Sequence, residues 1–339
     1  MAKREEMRTL TIKNTGRIRD VEIQLDKINV FTGARGGGKH TIMKIANFCM
    51  SVEHERLDSQ QAMSRLAGLR KQLSYFDRDS YFQYVSDTVE IVCCGSSLDI
   101  KWHGDHVPYV SRTVYIPTDR SIALLHTPLR GYLPDTHKRF LHDLIDCTKR
   151  YPYEKRLMLP MAGMRLYYDD LPKRCFLELI DINGTPVRLD MADVSSDIQS
   201  VASLMIVVDS MARDNTPITI EEPEQGVPFE AQYRLLKWIM QRIDRKVNSP
   251  LMISTYSMAM LYGLNNLALA HIGREKMSEE QRAKLCCATV DPATLRIYET
   301  KDGKAINAQD EDGLLHKNHL DTEMRYIMED FYAALIHYK

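Results

Sequence analysis

The chain has 339 residues, of which 44% are hydrophobic, enough to bury a large core in one large domain or two ordinary ones. Its 45 Lys and Arg balance 46 Asp and Glu, so net charge gives no argument for DNA or a membrane as an obligatory partner. No apolar run approaches the ~20 residues that span a bilayer, and the seven cysteines form no CxxC motif. We therefore expect a cytoplasmic protein with reduced thiols and no membrane association.

Three strands and a helix are predicted at the start of the chain. Apolar and polar residues alternate in RTLTIKN and RDVEIQLD, and the short apolar run KINVFTG ends on glycine, so each segment predicts a strand. Helical spacing begins at Thr41, with apolar residues at Ile42, Ile45, Ala46, Cys49 and Met50. A strand, a glycine-rich loop and a helix therefore follow one another in the order that a phosphate-binding loop requires.

Strands alternate with helices along the rest of the chain. The segments TVEIVCC, LDIKWH and RTVYIP predict strands. Residues 121–160 predict a helical insertion, with periodic apolar positions at Leu124, Leu125, Leu129, Phe140, Leu141, Leu144 and Ile145. Three more strands are predicted in RLYYD, CFLELIDING and TPVRLDM, followed by a long helix from near Ser196. Buried strands in PITIEEPE and PLMISTYS flank the helix FEAQYRLLKWIMQRIDRK, and LDTEMRYIMEDFYAALIHYK predicts an amphipathic helix. Together these elements predict an α/β fold.

The loop after the third strand has the spacing of a phosphate-binding loop. Four residues separate Gly33 from Gly38, and Lys39 follows directly. Glycines let backbone N–H groups turn around phosphates, and the lysine places a positive charge on the β- and γ-phosphates. The candidate nucleotide-binding residues of this loop are Gly33, Arg35, Gly36, Gly37, Gly38, Lys39, His40 and Thr41. The alternative, a glycine-rich turn with a solvated lysine, does not explain why four glycines and a lysine cluster there.

Two adjacent acids end a predicted buried strand in ITIEEPEQG. A strand that delivers Glu221 and Glu222 at its C-terminal end matches the acid pair of a nucleotide hydrolase. In such a pair, one acid belongs to the magnesium shell and the next polarises the attacking water. The alternative is a solvated charged run after a strand. The presence of the phosphate-loop pattern in the same chain favours the catalytic interpretation.

The chain resembles bacterial ATPases of the SMC/RecF-like ABC class through five stretches: GARGGGKHT, YIPTDR, DVSSDIQS, TIEEPEQGVPFEAQ and LMISTYS. It is similar to the ATPase part of OLD-family proteins and of several anti-phage ATPases. The resemblance implies a P-loop ABC-type ATPase head with an N-terminal mixed β-sheet. Its parts would be an N-terminal lobe at 1–120, the helical insertion at 121–160, and a C-terminal lobe at 161–339 with the signature, Walker B and switch motifs.

The same resemblance implies roles for individual residues. Two subunits of the family meet head to tail and bury ATP between the phosphate loop of one and the signature motif of the other. The signature would be residues 195–200, with Ser195 and Ser196 among the nucleotide-binding residues. Glu221 would be the magnesium-side acid, Glu222 the catalytic glutamate, and Tyr256 the switch residue. The implied cofactors are ATP and Mg²⁺.

Three positions depart from the family pattern. His40 stands where a Ser or Thr hydroxyl usually holds magnesium, and a neutral imidazole is a poor ligand for a hard cation. Asp197 replaces the signature glycine and places a carboxylate opposite the γ-phosphate. Two unit charges about 4 Å apart repel by ~4 kcal/mol at an effective dielectric of ~20. Tyr256 replaces the histidine that contacts the γ-phosphate. All three changes affect hydrolysis more than the fold.

Two hypotheses about function follow. The first is an ABC-type nucleotide-binding subunit in which ATP binding is coupled to dimerisation and hydrolysis is weak or lost, with a role in anti-phage defence or DNA maintenance. The second is a catalytically inactive pseudo-ATPase scaffold that holds a toxin or nuclease partner. The expected partners are a second copy of the chain, in a homodimer or higher oligomer, and an effector protein. Direct DNA binding rests on family analogy alone.

Other candidate residues have structural interpretations. Arg120 in YIPTDR lies in a stretch similar to a family motif, and we interpret it as a buried partner of Asp119, with a site residue as the alternative. The adjacent cysteine pairs Cys93–Cys94 and Cys286–Cys287 lack the spacing of zinc ligands. We therefore expect the cysteines to be packed in the interior rather than bound to metal.

Overall fold

The computed structural model describes residues 8–103, 112–121, 133–159, 163–171, 174–212, 216–243, 250–284, 288–316 and 318–338. In chain order it begins with β1 (Arg8–Thr15), β2 (Ile18–Leu25), β3 (Ile28–Gly33), α1 (Lys39–Glu55), α2 (Ser59–Gln72), β4 (Tyr81–Val85), β5 (Val89–Cys94), β6 (Ser97–Trp102) and β7 (Val114–Ile116). It continues with α3 (Asp135–Thr148), β8 (Leu157–Leu159), β9 (Met164–Asp169), β10 (Arg174–Ile180), β11 (Pro186–Asp190), α4 (Ser196–Ala212), β12 (Ile218–Glu221) and α5 (Phe229–Ile243). The last elements are β13 (Leu251–Ser254), α6 (Met258–Ile272), α7 (Glu279–Lys284), β14 (Leu295–Lys301), β15 (Lys304–Asn307) and α8 (His319–Tyr338).

A six-stranded sheet in the order β15-β14-β3-β13-β12-β7 positions the candidate site. All its pairings are parallel except that of β15 with β14. Strands β3, β12 and β13 are buried at every position, as expected for parallel strands covered on both faces. Because parallel strands end at the same edge, the loop after Gly33, the acid pair from Glu221 and the turn after Ser254 are close together.

Two further sheets complete the described structure. The antiparallel sheet β2-β1-β4-β5-β6 packs its buried face against α1 and α2, and these elements share one hydrophobic core. The antiparallel sheet β11-β10-β9-β8 packs with α3, α4 and α5 in a second core. Helix α1 is buried along most of its length because it lies between the first core and the six-stranded sheet.

Most predicted elements are present, and several observed elements were not predicted. The three opening strands form as expected, and α1 begins at Lys39, two residues before Thr41. Helix α2 was not predicted because only Ala62, Leu66 and Leu69 are buried on it. Strands β4, β14 and β15 and helix α6 were also not predicted.

The predicted helical insertion at 121–160 contains α3 and the short strand β8. Leu124, Leu125 and Leu129 lie outside the described residues, as do Cys286 and Cys287. The domain boundaries at 120 and 160 stay a prediction, since strands β3 and β7 share one sheet with β12, β13 and β14. Along the described part of the chain, no helix is both long and apolar enough to cross a membrane. The described cysteines are free thiols, and the expectation of interior packing is wrong for Cys94, which is exposed at the end of β5 while its neighbour Cys93 is buried.

Candidate functional site

The phosphate-loop candidate connects β3 to α1 at the carboxyl edge of the six-stranded sheet. Gly33, Gly36 and Gly38 have φ values of 121°, 74° and 100°, a region that L side chains rarely adopt. The N–H of Gly37 donates to Ala34 O at 3.1 Å, whereas those of Gly36 and Gly38 have no acceptor among the described residues. Free backbone donors next to a helix N-terminus suit an anion.

Strand β14 packs directly against this loop. A Cβ added to Gly33 would lie 2.3 Å from Thr300 O, and one added to Gly37 would lie 2.7 Å from Thr300 Oγ1. The Thr300 hydroxyl also donates to Thr32 O at 3.1 Å. Both glycines are therefore required by close packing, and the conformation of the loop depends on a strand from the far end of the chain.

Lys39 is buried and folded back onto its own loop. Its Nζ donates to Gly33 O at 2.5 Å and to Ala34 O at 3.1 Å, and it lies 3.9 Å from the ring centroid of Tyr256. Burial lowers the pKa of Lys39 to about 8, although nearby Glu222 and Glu224 act in the opposite direction. The ring of Tyr256, at the switch position, thus covers the ammonium group through a cation–π contact. Arg35 lies 5.9 Å from the same ring.

Glu221 is held by donors on both carboxylate oxygens. The Tyr115 hydroxyl donates to Oε1, and the Thr118 N–H and hydroxyl donate to Oε2 at 3.2 Å and 3.3 Å. Burial, reinforced by the charge of Glu221, raises the pKa of Tyr115 well above its usual value, so its hydroxyl stays a donor. These contacts fix the end of β12 to the end of β7.

Glu222 lies where the chain turns sharply after β12. Its φ of 44° is in the left-handed region, which a residue with a side chain adopts only when its surroundings enforce it. The enforcing contact is the bond from its N–H to Ser254 O at 3.0 Å. Because of the left-handed turn, the chain leaves the line of β12 at Glu222, and the following residues return toward β13.

The imidazole of His40 lies between the two acids. Its Nδ1 is 3.9 Å from Glu221 Oε1, and its Nε2 is 3.5 Å from Glu222 Oε1. Nε2 is buried and has no hydrogen-bond partner among the described residues. The residue that replaces the family hydroxyl therefore contacts both members of the acid pair.

A third acid, Glu224, belongs to the site and was missed in the sequence analysis. Its Oε1 accepts hydrogen bonds from the Thr255 hydroxyl at 2.7 Å and the Tyr256 N–H at 2.8 Å, while Oε2 is buried without a described partner. Burial raises the pKa of this carboxyl. The pattern EEPE contains it, but only the turn at Glu222 shows that it faces the switch segment.

A cleft of 490 Å³ opens over the loop, within the range of small-molecule sites. Besides the loop and Tyr256, its lining includes Gly16, Arg17 and Tyr75, none of which was predicted. The Thr41 and Tyr75 hydroxyl oxygens are 2.5 Å apart. The hydroxyl of Thr41, a candidate nucleotide-binding residue, is thus bonded to a tyrosine, a pairing without a local sequence signal.

The signature residues are not brought to the loop of the same chain. In the described structure, no hydrogen bond or ion pair joins Ser195, Ser196 or Asp197 to residues 33–41. The Ser195 hydroxyl accepts from the Ile198 N–H at 3.5 Å at the start of α4. Asp197 packs against the loop that follows the acids, where a Cβ added to Gly226 would lie 2.9 Å from Asp197 Oδ1.

Arg120 is fully buried and connects these segments. Its guanidinium donates to six carbonyl oxygens, those of Pro117, Ser200, Glu221, Glu222, Pro223 and Gln225. Burial lowers the pKa of Arg120 to about 10. The expected structural role therefore holds, but the expected partner is wrong: the contacts are with backbone carbonyls, and Asp119 is exposed.

The side chains as arranged do not fit a preformed magnesium shell. The described residues include no cluster of three His, Cys, Asp or Glu side chains able to hold a metal ion. Both oxygens of Glu221 and the hydroxyl of Thr41 are already bonded to other protein groups. Phosphate fits better, because the free N–H groups and Lys39 surround the cleft.

No family model and no curated protein matches the chain. Solved structures match it over nearly its whole length. An Smc head bound to the C-terminal winged-helix domain of ScpA is 10% identical, with a TM-score of 0.50, and covers 89% of this chain and 97% of its own. The SMC head domain from Thermotoga maritima is 10% identical, with a TM-score of 0.46, and covers 90% of this chain and 99% of its own.

The recombination mediator RecF, in a structure titled RecF-ATPrS, is also 10% identical, with a TM-score of 0.43, covering 89% of this chain and 98% of its own. At such low identity the likeness concerns the fold alone, and the match at a TM-score of 0.50 carries that conclusion. The predicted α/β fold is confirmed. The fold is similar to that of an SMC head.

Proposed function

We propose that the chain is an ABC-type nucleotide-binding ATPase-like subunit that binds ATP or ADP at residues 33–41. One observation carries the proposal: the buried ammonium of Lys39 and the free N–H groups of Gly36 and Gly38 border a cleft of 490 Å³ at the N-terminus of α1. Such a loop binds phosphates through backbone donors, helix dipole and lysine charge. The process it serves is proposed to be anti-phage defence or DNA maintenance, by the family resemblance.

In this proposal, the chain retains nucleotide binding although hydrolysis is weak or lost. None of the three phosphate contacts needs the hydroxyl that His40 replaces. The imidazole of His40 lies between Glu221 and Glu222, 3.5 Å from an oxygen of the residue that would act as base. Any residual hydrolysis would use Glu222 as base and Lys39 as phosphate ligand, and we expect it to be slow.

ATP binding is proposed to be coupled to dimerisation. Ser195 and Ser196 lie at the start of α4 without contacts to their own phosphate loop, which leaves them available to the loop of a second copy. Asp197 would then bring a carboxylate close to the γ-phosphate. We therefore expect ATP to close the dimer poorly and ADP to be tolerated at least as well.

A pseudo-ATPase scaffold is the second candidate, and one observation favours it. The Lys39 ammonium is already satisfied by two carbonyls and the ring of Tyr256, so a phosphate must displace part of this arrangement. In this candidate the same fold would hold an effector protein, such as a toxin or nuclease, without binding nucleotide.

Calorimetric titration with ATP and with ADP, each with and without Mg²⁺, separates the two candidates. We expect binding with weak magnesium dependence, and at least tenfold weaker binding in Lys39→Ala. The exposed-lysine variant Lys304→Ala is the matched control and should bind like the wild type. Absence of any Lys39-dependent nucleotide binding would contradict the first candidate and support the pseudo-ATPase scaffold. A magnesium-dependent turnover in the usual range of ~1–10³ per second, abolished by Glu222→Gln, would contradict weak hydrolysis.

A further inference from the structure

A second cleft, of 340 Å³, lies further along α1 from the phosphate loop, between α1, α2 and the start of α3. We call it the α1–α3 cleft. Its walls belong to different cores: Phe48 and Leu69 pack in the core of the antiparallel sheet that starts with β1, while α3 places Phe140 and Leu141 in the other core. A ligand in this cleft would contact both halves of the molecule.

Both walls of the α1–α3 cleft carry positive charge, from Lys44, Arg65, Lys138 and Arg139. Two of these cations are paired: Arg65 Nη1 is 2.8 Å from Glu55 Oε1, and Lys138 Nζ is 3.8 Å from Asp135 Oδ1. Lys44 and Arg139 form no ion pair or hydrogen bond with any described residue. An excess of two positive charges therefore faces a concave space.

Arg139 is in an unfavourable electrostatic position. Arg139 is exposed on one side. Burial of the rest of the side chain, with the like charge of Arg65 next in importance, lowers its pKa even though Glu55, Asp143 and Asp135 act in the opposite direction. Like charges on facing walls repel each other, and an anion between them would remove this repulsion. Asn47, Ser51 and Thr136 add neutral hydrogen-bonding groups to the lining.

We propose that the α1–α3 cleft binds a small phosphate-bearing ligand of mononucleotide size, with Lys44 and Arg139 as its charged ligands. A guanidinium can bind phosphate through two parallel hydrogen bonds, and a lysine adds a point charge. The volume is at the lower end of the usual range for small-ligand sites, about 300–1,000 Å³, which suits a single nucleotide rather than a polymer.

The side chain of Tyr115 connects the α1–α3 cleft to the acid pair. Tyr115 lines the cleft, and its hydroxyl donates to Glu221. A ligand that moves this ring would shift a carboxylate of the other site. Ligand binding is independent of the proposed nucleotide function, whereas any effect on hydrolysis through Tyr115 rests on it.

Calorimetry with adenosine monophosphate and with inorganic phosphate tests the proposal in the Lys39→Ala background, where the phosphate loop is disabled. We expect adenosine monophosphate to bind this chain and to bind at least tenfold more weakly after Lys44→Gln and Arg139→Gln are added. The control adds Lys155→Gln and Lys304→Gln instead, which remove two exposed cations elsewhere, and should leave the affinity unchanged.

The two probes also identify the source of the phosphate. Tighter binding of adenosine monophosphate supports a nucleotide, and equal binding of both probes supports free phosphate in the same site. Failure of both to bind the Lys39→Ala chain, or equal affinity with and without Lys44 and Arg139, overturns the proposal. Matching thermal unfolding of all variants shows that lost binding is not lost folding. Loss of ATP and ADP binding in Lys39→Ala, with binding of adenosine monophosphate retained, would bear only on the phosphate loop.

Discussion

The ammonium group of Lys39 can donate either to acceptors of its own chain or to a bound phosphate. In the structure it donates to the carbonyls of Gly33 and Ala34 and lies under the ring of Tyr256. A nucleotide would offer phosphate oxygens, which are stronger acceptors because they are charged. Binding is therefore an exchange of acceptors around one nitrogen, and its strength depends on whether that nitrogen carries a proton.

This exchange predicts proton uptake at alkaline pH. The pKa of Lys39 is lowered to about 8 by burial, so at pH 9 the amine is mostly neutral in the free protein. Bound phosphate favours the charged form and raises this pKa. When ADP binds at pH 9, Lys39 should therefore take up close to one proton from solvent. At pH 7 it is already protonated and should take up almost none.

Calorimetry in two buffers of different ionisation enthalpy measures this uptake. Lys39→Arg is the matched control, because a guanidinium stays protonated at both pH values and should show no uptake at pH 9. Equal proton uptake in the wild type and Lys39→Arg would mean that Lys39 is not the group that titrates.

The three departures from the family pattern should act together on hydrolysis. His40 occupies the space between the acids, Tyr256 covers Lys39, and Asp197 belongs to the facing subunit in the proposed dimer. We predict that His40→Ser, Asp197→Gly and Tyr256→His combined raise the hydrolysis rate more than the product of the single changes. Phosphate release under saturating ATP measures this. Simple additivity, or no gain from the triple variant, would argue against one damaged reaction step.

At the scale of elements, Arg120 joins three segments that are distant in sequence. Its guanidinium binds the carbonyl of Ser200 in α4, that of Pro117 after β7, and those of the turn that begins at Glu221. A buried carbonyl that lost its last donor with the guanidinium would cost about 1–3 kcal/mol. One side chain therefore fixes the relative positions of α4, β7 and the acid pair.

We predict that Arg120→Met lowers the free energy of unfolding by ~3 kcal/mol or more, or prevents folding. Arg120→Lys should recover only part of the loss, because an ammonium has three donors and no planar fork. The neighbouring Asp119→Asn is the control and should change stability by less than ~0.5 kcal/mol, since Asp119 is exposed. Urea denaturation measures all three. A large loss of unfolding free energy in Asp119→Asn would support the Arg120–Asp119 pair expected from sequence.

The elements predicted from the sequence are those whose buried positions recur at a regular spacing within one short segment. Strand β1 alternates buried and less buried positions, so period-2 spacing identifies it. Helix α2 has little apolar periodicity, but Asp58 and Gln61 form a capping box that marks its start, a signal that was available and not used. Strand β14 depends on pairing with β3, more than 250 residues earlier, which no local window contains.

The same division applies to the candidate site. The loop glycines, Lys39 and the acid pair follow from spacing, because the chemistry needs those residue types next to one another in sequence. Tyr115 and Tyr75 contribute through tertiary contacts alone, since each donates or accepts across more than thirty residues. Glu224 lies in the site because of the left-handed turn at Glu222, which spacing alone does not predict.

For the whole molecule, the proposed dimer makes Asp197 the residue that opposes closure by ATP. We predict that Asp197→Asn strengthens ATP-induced dimerisation at least tenfold, equivalent to ~1.4 kcal/mol, with little change for ADP. Asp193→Asn, also exposed and shortly before α4, is the matched control and should behave like the wild type. Light scattering at varied protein concentration measures both. Equal dimerisation of Asp197→Asn and wild type would show that the signature region does not meet the γ-phosphate.

The packing of Thr300 against Gly33 and Gly37 has a consequence for biosynthesis. The two sheet neighbours of β3 are β13 and β14, which leave the ribosome long after the phosphate loop does. At ~5–20 residues per second the apolar strand β3 waits on the order of ten to fifty seconds for its last partner. During translation the nascent chain therefore exposes the apolar strand β3 without its sheet neighbours, and under the proposed function nucleotide could bind only after the C-terminal half had been made and had folded.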